Sequence, residues 1–323
     1  MKKLPIHQYL PGASELVYGC MGLGGNWNQD SLSKADIKKA HQVVEHVLEA
    51  NINVFDHADI YQFGKAEQVF GTILKDNPTL RDEMIIQSKC GIRFEDNSGP
   101  KRYDLSAQWI TESTDQILTR LNTQYLDVLI LHRPDPLMQA DEIARALSAL
   151  KASGKVKYFG LSNMNSSQAS YIAQAIDQPF IINQLELSLS NLHWLEEGVY
   201  VGNPQGSHIN FNSHTLEYAR INNMQIQSWG SLSQGLFCGR DVSGESITIQ
   251  ETAKYVKTLA QQYATSTEAI VLAWLMHHPA NIQPVIGSTN IERISACTKA
   301  LSINLTREQW YQIYTLARGS ELP

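Results

Sequence analysis

The strongest constraint on this chain is an eightfold alternation of short strand-like runs with longer helical patterns. Each strand-like run is apolar or β-branched, and a helical pattern follows it. The predicted strands cover 16–23, 52–56, 84–89, 126–131, 156–161, 180–184, 224–229 and 282–286. Strands that alternate with helices form right-handed βαβ units around a parallel sheet. Eight units spread evenly over 323 residues predict a closed (β/α)8 TIM barrel rather than an open doubly wound sheet.

Helix starts and stops carry their own signals. Ser33 with Asp36, and Thr306 with Gln309, have the spacing of a capping box, and Gly154 is a typical helix terminator. The predicted helices cover 33–50, 67–75, 107–121, 141–152, 166–176, 213–222, 251–263, 267–277 and 291–299, with one more from 306.

Two polar stretches, 91–106 and 188–212, directly follow predicted strands. They are predicted to be long loops over the C-terminal mouth of the barrel, where the loops that follow strands lie. A linker rich in Pro, Gly or Ser is absent from the sequence. Residues 1–323 are therefore predicted to form one barrel domain with long loops at its mouth.

The charge balance of the chain argues against some classes of binding partner. The chain carries 26 Lys and Arg against 32 Asp and Glu, a net charge of −6, and it has no long basic run. Such a chain is a poor binder of nucleic acid and of anionic membrane surfaces. A small molecule is the expected partner.

The sequence also indicates a compartment. Its four cysteines are scattered without a CxxC pair, which is typical of reduced thiols in the cytosol. No run approaches the ~20 apolar residues of a membrane helix. Pro5, His7, Pro11 and Glu15 interrupt what would be the apolar core of a signal peptide. These observations predict a cytoplasmic protein.

A barrel carries its chemistry at the C-terminal ends of its strands, and polar or aromatic residues collect there in this chain. They are Asp56, Tyr61, Lys89, His132, Ser162, Asn163, Gln184, Trp229 and the segment 287–290. The repetition at corresponding positions of seven consecutive strands indicates a common opening.

Four of these residues have complementary chemistry. A free tyrosine is a weak acid, with a pKa of about 10. We expect the ammonium of Lys89 to favour the phenolate of Tyr61, and the carboxylate of Asp56 to hold that ammonium in place. His132 would orient a substrate oxygen. This set can protonate an oxygen while another reagent attacks the attached carbon.

Each of these residues also has a structural interpretation. Asp56 is typical of a turn, Lys89 of an ion pair at the rim, and His132 of a turn-like segment. A metal site is a further alternative, with His57 and Asp59 added to the ligands. The lysine on the third strand and the absence of a His-x-His pair argue against it.

A glycine-rich turn follows the first predicted strand at 22–25. It resembles part of a Rossmann signature, but the position of the third glycine is occupied by Trp27. We interpret it as a turn, and we predict that Trp27 contributes to the wall of the substrate site.

The chain resembles the aldo-keto reductase family, in particular a bacterial subgroup of oxidoreductases without an assigned substrate. The resemblance runs from about residue 15 to 300, in the order of the family's motifs. The segments that carry it are 56–61, 88–92, 131–136, 160–163, 183–184 and 286–290.

The resemblance implies a catalytic tetrad of Asp56, Tyr61, Lys89 and His132, with Tyr61 as the general acid. It also implies a nicotinamide cofactor across the barrel mouth. Ser162, Asn163 and Gln184 would bind its carboxamide, and Trp229 would stack on its ring. The cofactor residues expected along the remainder of the mouth are Ser231, Leu232, Gly235, Gly287, Ser288, Thr289, Asn290 and Arg293.

The resulting expectation is NADPH-dependent reduction of an aldehyde or ketone to an alcohol, without a metal. NADPH is expected over NADH because Arg293 can pair with the 2′-phosphate. The alternatives are a cofactor-sensing regulatory subunit with vestigial turnover and, less consistent with the residues, a metal-dependent barrel hydrolase.

Overall fold

The computed structural model describes residues 3–211 and 214–323. Its strands are β1 Val17–Gly19, β2 Val54–Asp56, β3 Ile85–Cys90, β4 Ile92–Arg93, β5 Arg102–Tyr103, β6 Leu126–Leu131, β7 Val156–Ser162, β8 Phe180–Glu186, β9 Gln225–Trp229 and β10 Gln283–Ile286. Its helices are α1 Lys34–Glu49, α2 Lys65–Asp76, α3 Ala107–Leu121, α4 Ala140–Ala152, α5 Ser166–Ala173, α6 His193–Val199, α7 Thr215–Ile221, α8 Ile247–Gln262, α9 Thr267–His277, α10 Ile291–Thr298 and α11 Arg307–Arg318.

Eight of the strands close into a parallel barrel, in the order β1-β10-β9-β8-β7-β6-β3-β2. All of the neighbouring pairs are parallel. The predicted (β/α)8 barrel is therefore confirmed. That residues 1–323 form one domain stays a prediction.

The buried strands and helices have the expected sequence character. Every residue of β6 is buried, as both faces of a barrel strand are covered. The helix α9 is buried all along 269–275, since it packs between the barrel and the outer helices. The capping boxes Ser33–Asp36 and Thr306–Gln309 are both present at the starts of α1 and α11.

The segment 4–13 closes the end of the barrel opposite the mouth. Leu4, Ile6, Leu10 and Ala13 are buried in one cluster with the lower interior residues of the barrel strands. The backbone N–H of Ile6 donates to Oε1 of Gln225 at the start of β9, 3.5 Å away. This segment forms the floor of the barrel.

Both stretches predicted as loops contain secondary structure, which corrects the prediction. The first forms an antiparallel hairpin, β4 with β5, in which Ile92 pairs with Tyr103. The second contains α6 and the 3-10 helix Pro204–His208. The predicted helix start at Ser213 and loop end at Asn212 lie outside the described residues.

Side chains far away in sequence hold α6 in place. Trp194 packs edge-to-face on Trp274 of α9, with ring centroids 5.7 Å apart. Arg318 of α11 donates through Nε and Nη2 to the two carboxylate oxygens of Glu196, each at 3.0 Å. The stretch that contains α6 is polar and shows no clear helical pattern. The helix is therefore stabilised mainly by these tertiary contacts.

The first strand is shorter than predicted. It ends at Gly19, and Cys20–Gly22 form a 3-10 turn instead of continuing to Leu23. A Cβ at Gly24 would lie 2.5 Å from Oε1 of Gln62 and 2.7 Å from the backbone N of Ala66. The glycine-rich segment is thus a turn that must approach another backbone closely, as interpreted from the sequence.

Candidate active site

Lys89 is the centre of a buried group at the mouth of the barrel. Its side chain is completely buried on β3, and Nζ donates to Oδ2 of Asp56 at 2.7 Å and to Oη of Tyr61 at 2.9 Å. The third donation goes to the backbone carbonyl of His57 at 2.8 Å. All three ammonium protons are therefore used, and the position of Nζ is fixed.

Below Asp56, glutamine side chains fill the barrel interior as a ladder of amides. Oδ1 of Asp56 accepts from Nε2 of Gln87 at 2.6 Å and from Nε2 of Gln184 at 3.0 Å. Both amides also donate to Oε1 of Gln227, whose own Nε2 donates to Gln283 at 3.0 Å. This glutamine ladder fixes the orientation of the Asp56 carboxylate from beneath.

A turn with left-handed backbone holds Tyr61. Gln62 and Phe63 follow it with φ values of 51° and 60°, and Gly64 has a φ of 85°. Left-handed backbone is costly for bulky residues such as Phe63, so the surrounding structure must impose it. The side-chain amide of Gln62 is buried and donates to the carbonyl of Gly25, which anchors the turn to the segment after β1.

Burial and charge act in opposite directions on Tyr61. Burial raises the pKa of its phenol, and the nearby Lys89 ammonium lowers it by less, so that the net shift is upward. The sequence predicted that the ammonium favours the phenolate; in the structure it does lower the pKa, but desolvation has the larger effect. For Lys89, burial lowers the pKa, but Asp56 and Tyr61 together raise it further, and the amine stays charged.

His132 lies just past the end of β6, beside Tyr61, with ring centroids 6.3 Å apart. Burial, and then the charges of Lys89 and Arg133, hold its pKa well below the usual value, so the imidazole is neutral at pH 7. Its Nδ1 is buried without a hydrogen-bond partner among the described residues. Nε2 is the nitrogen that can meet a ligand.

The alternative metal site finds no support in the geometry. His57 is completely buried against Phe70, with ring centroids 4.6 Å apart, and burial lowers its pKa to about 3. In residues 3–211 and 214–323, no group of three or more His, Cys, Asp or Glu side chains is placed to hold a metal ion.

A cavity of about 590 Å³ opens at the mouth above the Lys89 group. Its described lining includes most of the predicted site residues: Asp56, Tyr61, His132, Ser162, Asn163, Gln184, Trp229, Ser231, Leu232, Gly235, Gly287, Ser288 and Arg293. The sequence prediction that these strand ends share one opening agrees with this arrangement.

Near Tyr61 the cavity wall consists of polar groups bonded to each other. Nε1 of Trp229 donates to Oδ1 of Asn163 at 3.1 Å, and Nδ2 of Asn163 donates to Oγ of Ser162 at 2.8 Å. Ser162 in turn donates to the backbone carbonyl of Gln184 at 3.0 Å. Since both Nε2 protons of Gln184 are used in the ladder, its Oε1 is left as an acceptor towards the cavity.

The far end of the cavity is charged. Arg293 and Glu268 line it together with Cys238. Burial raises the pKa of the Cys297 thiol to about 12, with Glu268 raising it and Arg293 lowering it. The same two charges act on the thiol of Cys238, so the guanidinium and the carboxylate both lie close to Cys238 and Cys297.

Besides Lys89, which lies under the cavity, three predicted site residues are absent from its described lining. Trp27 is half exposed at the rim and packs edge-to-face on Phe63, at 5.9 Å between ring centroids. Asn290 caps α10 by accepting from the backbone N–H of Arg293 at 3.1 Å. The Cγ2 of Thr289 would lie 3.0 Å from a Cβ added at Gly22, so Thr289 packs on the turn after β1.

The site residues that sequence reasoning missed include two glutamines of the ladder and two charged residues of the cavity lining. Gln87 and Gln227 stand two positions before Lys89 and Trp229, so the two-residue period of a strand already puts each pair on the same face. Arg133 and Glu268 also line the cavity. Arg133 directly follows His132 at a strand end, which was the available signal; Glu268 lies in a helix and gave none.

Comparison with known proteins agrees with this architecture. A family model described as "Aldo/keto reductase family" matches residues 15–318. The crystal structure of a thermostable aldo-keto reductase, Tm1743, in complex with the inhibitor epalrestat superimposes with a TM-score of 0.74 at 20% identity, covering 94% of this chain and 95% of the other.

Two curated bacterial relatives match over nearly their whole length. The chain is 32% identical over 308 residues to the "Uncharacterized oxidoreductase YcsN" of Bacillus subtilis, covering 93% of this chain and 94% of that protein. It is 33% identical over 315 residues to a "6-dehydroglucose reductase" of Agrobacterium fabrum, covering 96% of each. Among the described residues, no helix has the length and apolar character needed to span a membrane.

Proposed function

The chain belongs to the aldo/keto reductase family, and from this membership we propose that it reduces an aldehyde or ketone to an alcohol with NADPH, Tyr61 supplying the proton. The observation that carries the proposal is the contact of Lys89 Nζ with both Tyr61 and Asp56 directly under a cavity.

Members of this family use nicotinamide cofactors, and the residues of the mouth fit such a group. The cavity has an indole, Trp229, near its reacting end and a guanidinium, Arg293, at the other. Oε1 of Gln184 can accept from a carboxamide N–H, while Ser231, Leu232 and Gly235 would cover the pyrophosphate. When bound, a reduced nicotinamide supplies the hydride.

The residues of the chain provide the proton and its control. The phenol of Tyr61 is protonated at pH 7, since burial raises its pKa from the ordinary value of about 10. It donates to the substrate oxygen as negative charge develops there, and the ammonium of Lys89, 2.9 Å from Oη, stabilises the phenolate left behind. Asp56 keeps that ammonium in place. The neutral imidazole of His132 orients the same substrate oxygen.

The first test is Tyr61→Phe, assayed with a panel of aldehydes. We expect kcat/KM to fall by ~10²–10⁴-fold, since that is the usual effect of losing a general acid. The dissociation constant for NADPH, measured by fluorescence quenching, should stay nearly unchanged. Wild-type turnover in this variant would exclude Tyr61 as the acid. If the wild type binds NADPH but reduces no carbonyl, a cofactor-sensing role is favoured instead.

The second test concerns the choice of cofactor. We propose that Arg293 pairs with the 2′-phosphate of NADPH, since its guanidinium has no ion pair among residues 3–211 and 214–323. A charge-assisted hydrogen bond contributes about 1.5–3 kcal/mol, or roughly tenfold or more in affinity. Arg293→Ala should therefore weaken NADPH at least about tenfold and NADH little. Equal weakening of both cofactors contradicts this assignment.

The name of the Agrobacterium relative suggests the first carbonyl compound to test. 6-Dehydroglucose is an aldehyde on a sugar, and the two chains align over nearly their full lengths. We propose it as an initial substrate in the panel, beside aromatic and short aliphatic aldehydes.

A further inference from the structure

Arg133 stands at the reacting end of the cavity on a fixed stretch of backbone. It follows His132, whose N–H donates to the carbonyl of Cys90 at 2.8 Å. Two residues later, the buried carboxylate of Asp135 accepts from the N–H of Leu105 at 2.9 Å and of Leu137 at 2.8 Å. The backbone at Arg133 is thus held on both sides, while its side chain reaches the cavity.

The guanidinium of Arg133 lacks the partner that comparable arginines have. In the described part of the chain, five other arginines are buried or half-buried, and each has a carboxylate within salt-bridge distance: Arg81, Arg93, Arg102, Arg120 and Arg318. For Arg133, the described residues provide neither an ion pair nor a hydrogen bond. Its guanidinium carbon lies 6.0 Å from the ring centroid of Trp229.

The other charged residues of the cavity lining do not neutralise Arg133. The described lining carries four charged side chains, Asp56, Arg133, Glu268 and Arg293. Asp56 is neutralised by Lys89, whereas Glu268 and Arg293, which form no salt bridge with each other, both act on the thiols of Cys238 and Cys297. At the end of the cavity that holds Tyr61 and His132, Arg133 is therefore a positive charge without a carboxylate partner among the described residues, and it lowers the pKa of the His132 imidazole.

We propose that Arg133 binds an anionic oxygen group, a carboxylate or a phosphate, on the carbonyl substrate. A guanidinium meets either group with two parallel hydrogen bonds, and partial removal from water strengthens the attraction. The inference rests on the proposed reductase function and restricts its substrate class. A substrate bound in this way has its anionic group at Arg133 and its carbonyl oxygen at Tyr61 and His132.

The test uses pairs of aldehydes that differ in charge. In the first pair, 4-carboxybenzaldehyde is compared with the uncharged 4-formylbenzamide; in the second, glyceraldehyde 3-phosphate is compared with glyceraldehyde. We expect kcat/KM of the wild type to favour the anion by about 10- to 100-fold in at least one pair. The pair that shows the preference identifies carboxylate or phosphate as the group bound.

Variants locate the preference. Arg133→Met should bring the ratio of kcat/KM within a pair close to one. Arg133→Lys should give an intermediate ratio, since lysine keeps the positive charge but cannot donate two parallel hydrogen bonds. Arg145→Met, which removes an exposed arginine of α4, should keep the wild-type ratio. Circular dichroism reports whether each variant is folded, and NADPH affinity, measured in each folded variant, reports whether Arg133 contacts the cofactor.

Three outcomes would overturn the inference. Equal kcat/KM within both pairs in the wild type contradicts it while leaving the reductase function intact. A preference that survives in Arg133→Met assigns the anion to another group. A tenfold or greater loss of NADPH affinity in a folded Arg133→Met assigns the guanidinium to the cofactor. No reduction of any of the four aldehydes contradicts the reductase function itself.

Discussion

At the scale of single residues, the reacting end combines one charged pair with two uncharged groups. The Lys89 ammonium and the Asp56 carboxylate balance each other, and Tyr61 and His132 are both neutral at pH 7. In the chemistry that we propose, none of these four groups therefore titrates near neutral pH in the free enzyme.

This arrangement predicts the pH profile of the reaction. Burial raises the pKa of Tyr61 above 10 and lowers that of His132 well below 6.5, so neither group titrates between those values. We expect kcat/KM for a neutral aldehyde to be flat from about pH 6.5 to 9. Initial rates in a series of overlapping buffers measure it. An inflection between pH 7 and 8 that disappears in His132→Asn would show that the histidine titrates there instead.

The role of a residue was predictable where the residue stands at the end of a strand. It was not predictable where the role depends only on tertiary packing. Asp56, Tyr61 and Lys89 were expected together, and the structure places them in hydrogen-bond contact. The balance of burial against charge at Tyr61 depends on how much water is excluded, which the sequence does not express. The unpaired state of Arg133 likewise depends on which carboxylates fold towards it.

At the scale of elements, α2 and α3 pack unusually closely behind the Lys89 group. Glu67 of α2 is completely buried; it accepts from Nε of Arg120 at 2.7 Å and from Oγ of Ser88 at 2.6 Å. A Cβ added at Gly71 would lie 2.0 Å from the backbone carbonyl oxygen of Arg120. The glycine is what allows this approach.

Gly71→Ala should therefore destabilise the protein, because α3 must move away from α2 and strain the Glu67 contacts. We expect a loss of about 1–3 kcal/mol in the free energy of unfolding, the usual cost of overpacking. Gly198→Ala on α6 is the matched control, since nothing lies within 4 Å of the added Cβ. Denaturant melts of both variants test this, and equal midpoints for the two would contradict the packing argument.

Helix ends with local signals were predicted well, and elements that depend on distant contacts were not. The capping pairs at Ser33 and Thr306 act within four residues, so the sequence shows them. The hairpin of β4 and β5 and the helix α6 have no such local pattern. Arg318, 122 positions away, is needed to hold Glu196 of α6 in place.

At the scale of the whole molecule, the barrel concentrates its chemistry in one cavity lined by residues from most of its strands. The described part of the chain provides no cluster of metal ligands there. We therefore expect carbonyl reduction to persist after exhaustive dialysis against EDTA, with metal content checked by mass spectrometry. Activity lost on dialysis and restored by added zinc would contradict the proposed acid chemistry.

The closed barrel was predictable from the alternation of strands and helices, because eight βαβ units leave few other topologies. Its floor was not. The segment 4–13 is short and interrupted by Pro5 and Pro11, and its apolar residues acquire a role only against the ends of distant strands.

That floor has a practical consequence for attaching the protein to a surface. The backbone enters the barrel through Leu4 and Ile6 at the end opposite the cavity. A tether attached before Leu4 would extend from the closed end of the barrel. A protein coupled to a sensor chip or bead through it would therefore have its cavity facing the solution. Truncating the chain to the start of β1 would instead remove the floor and expose the lower interior of the barrel to water.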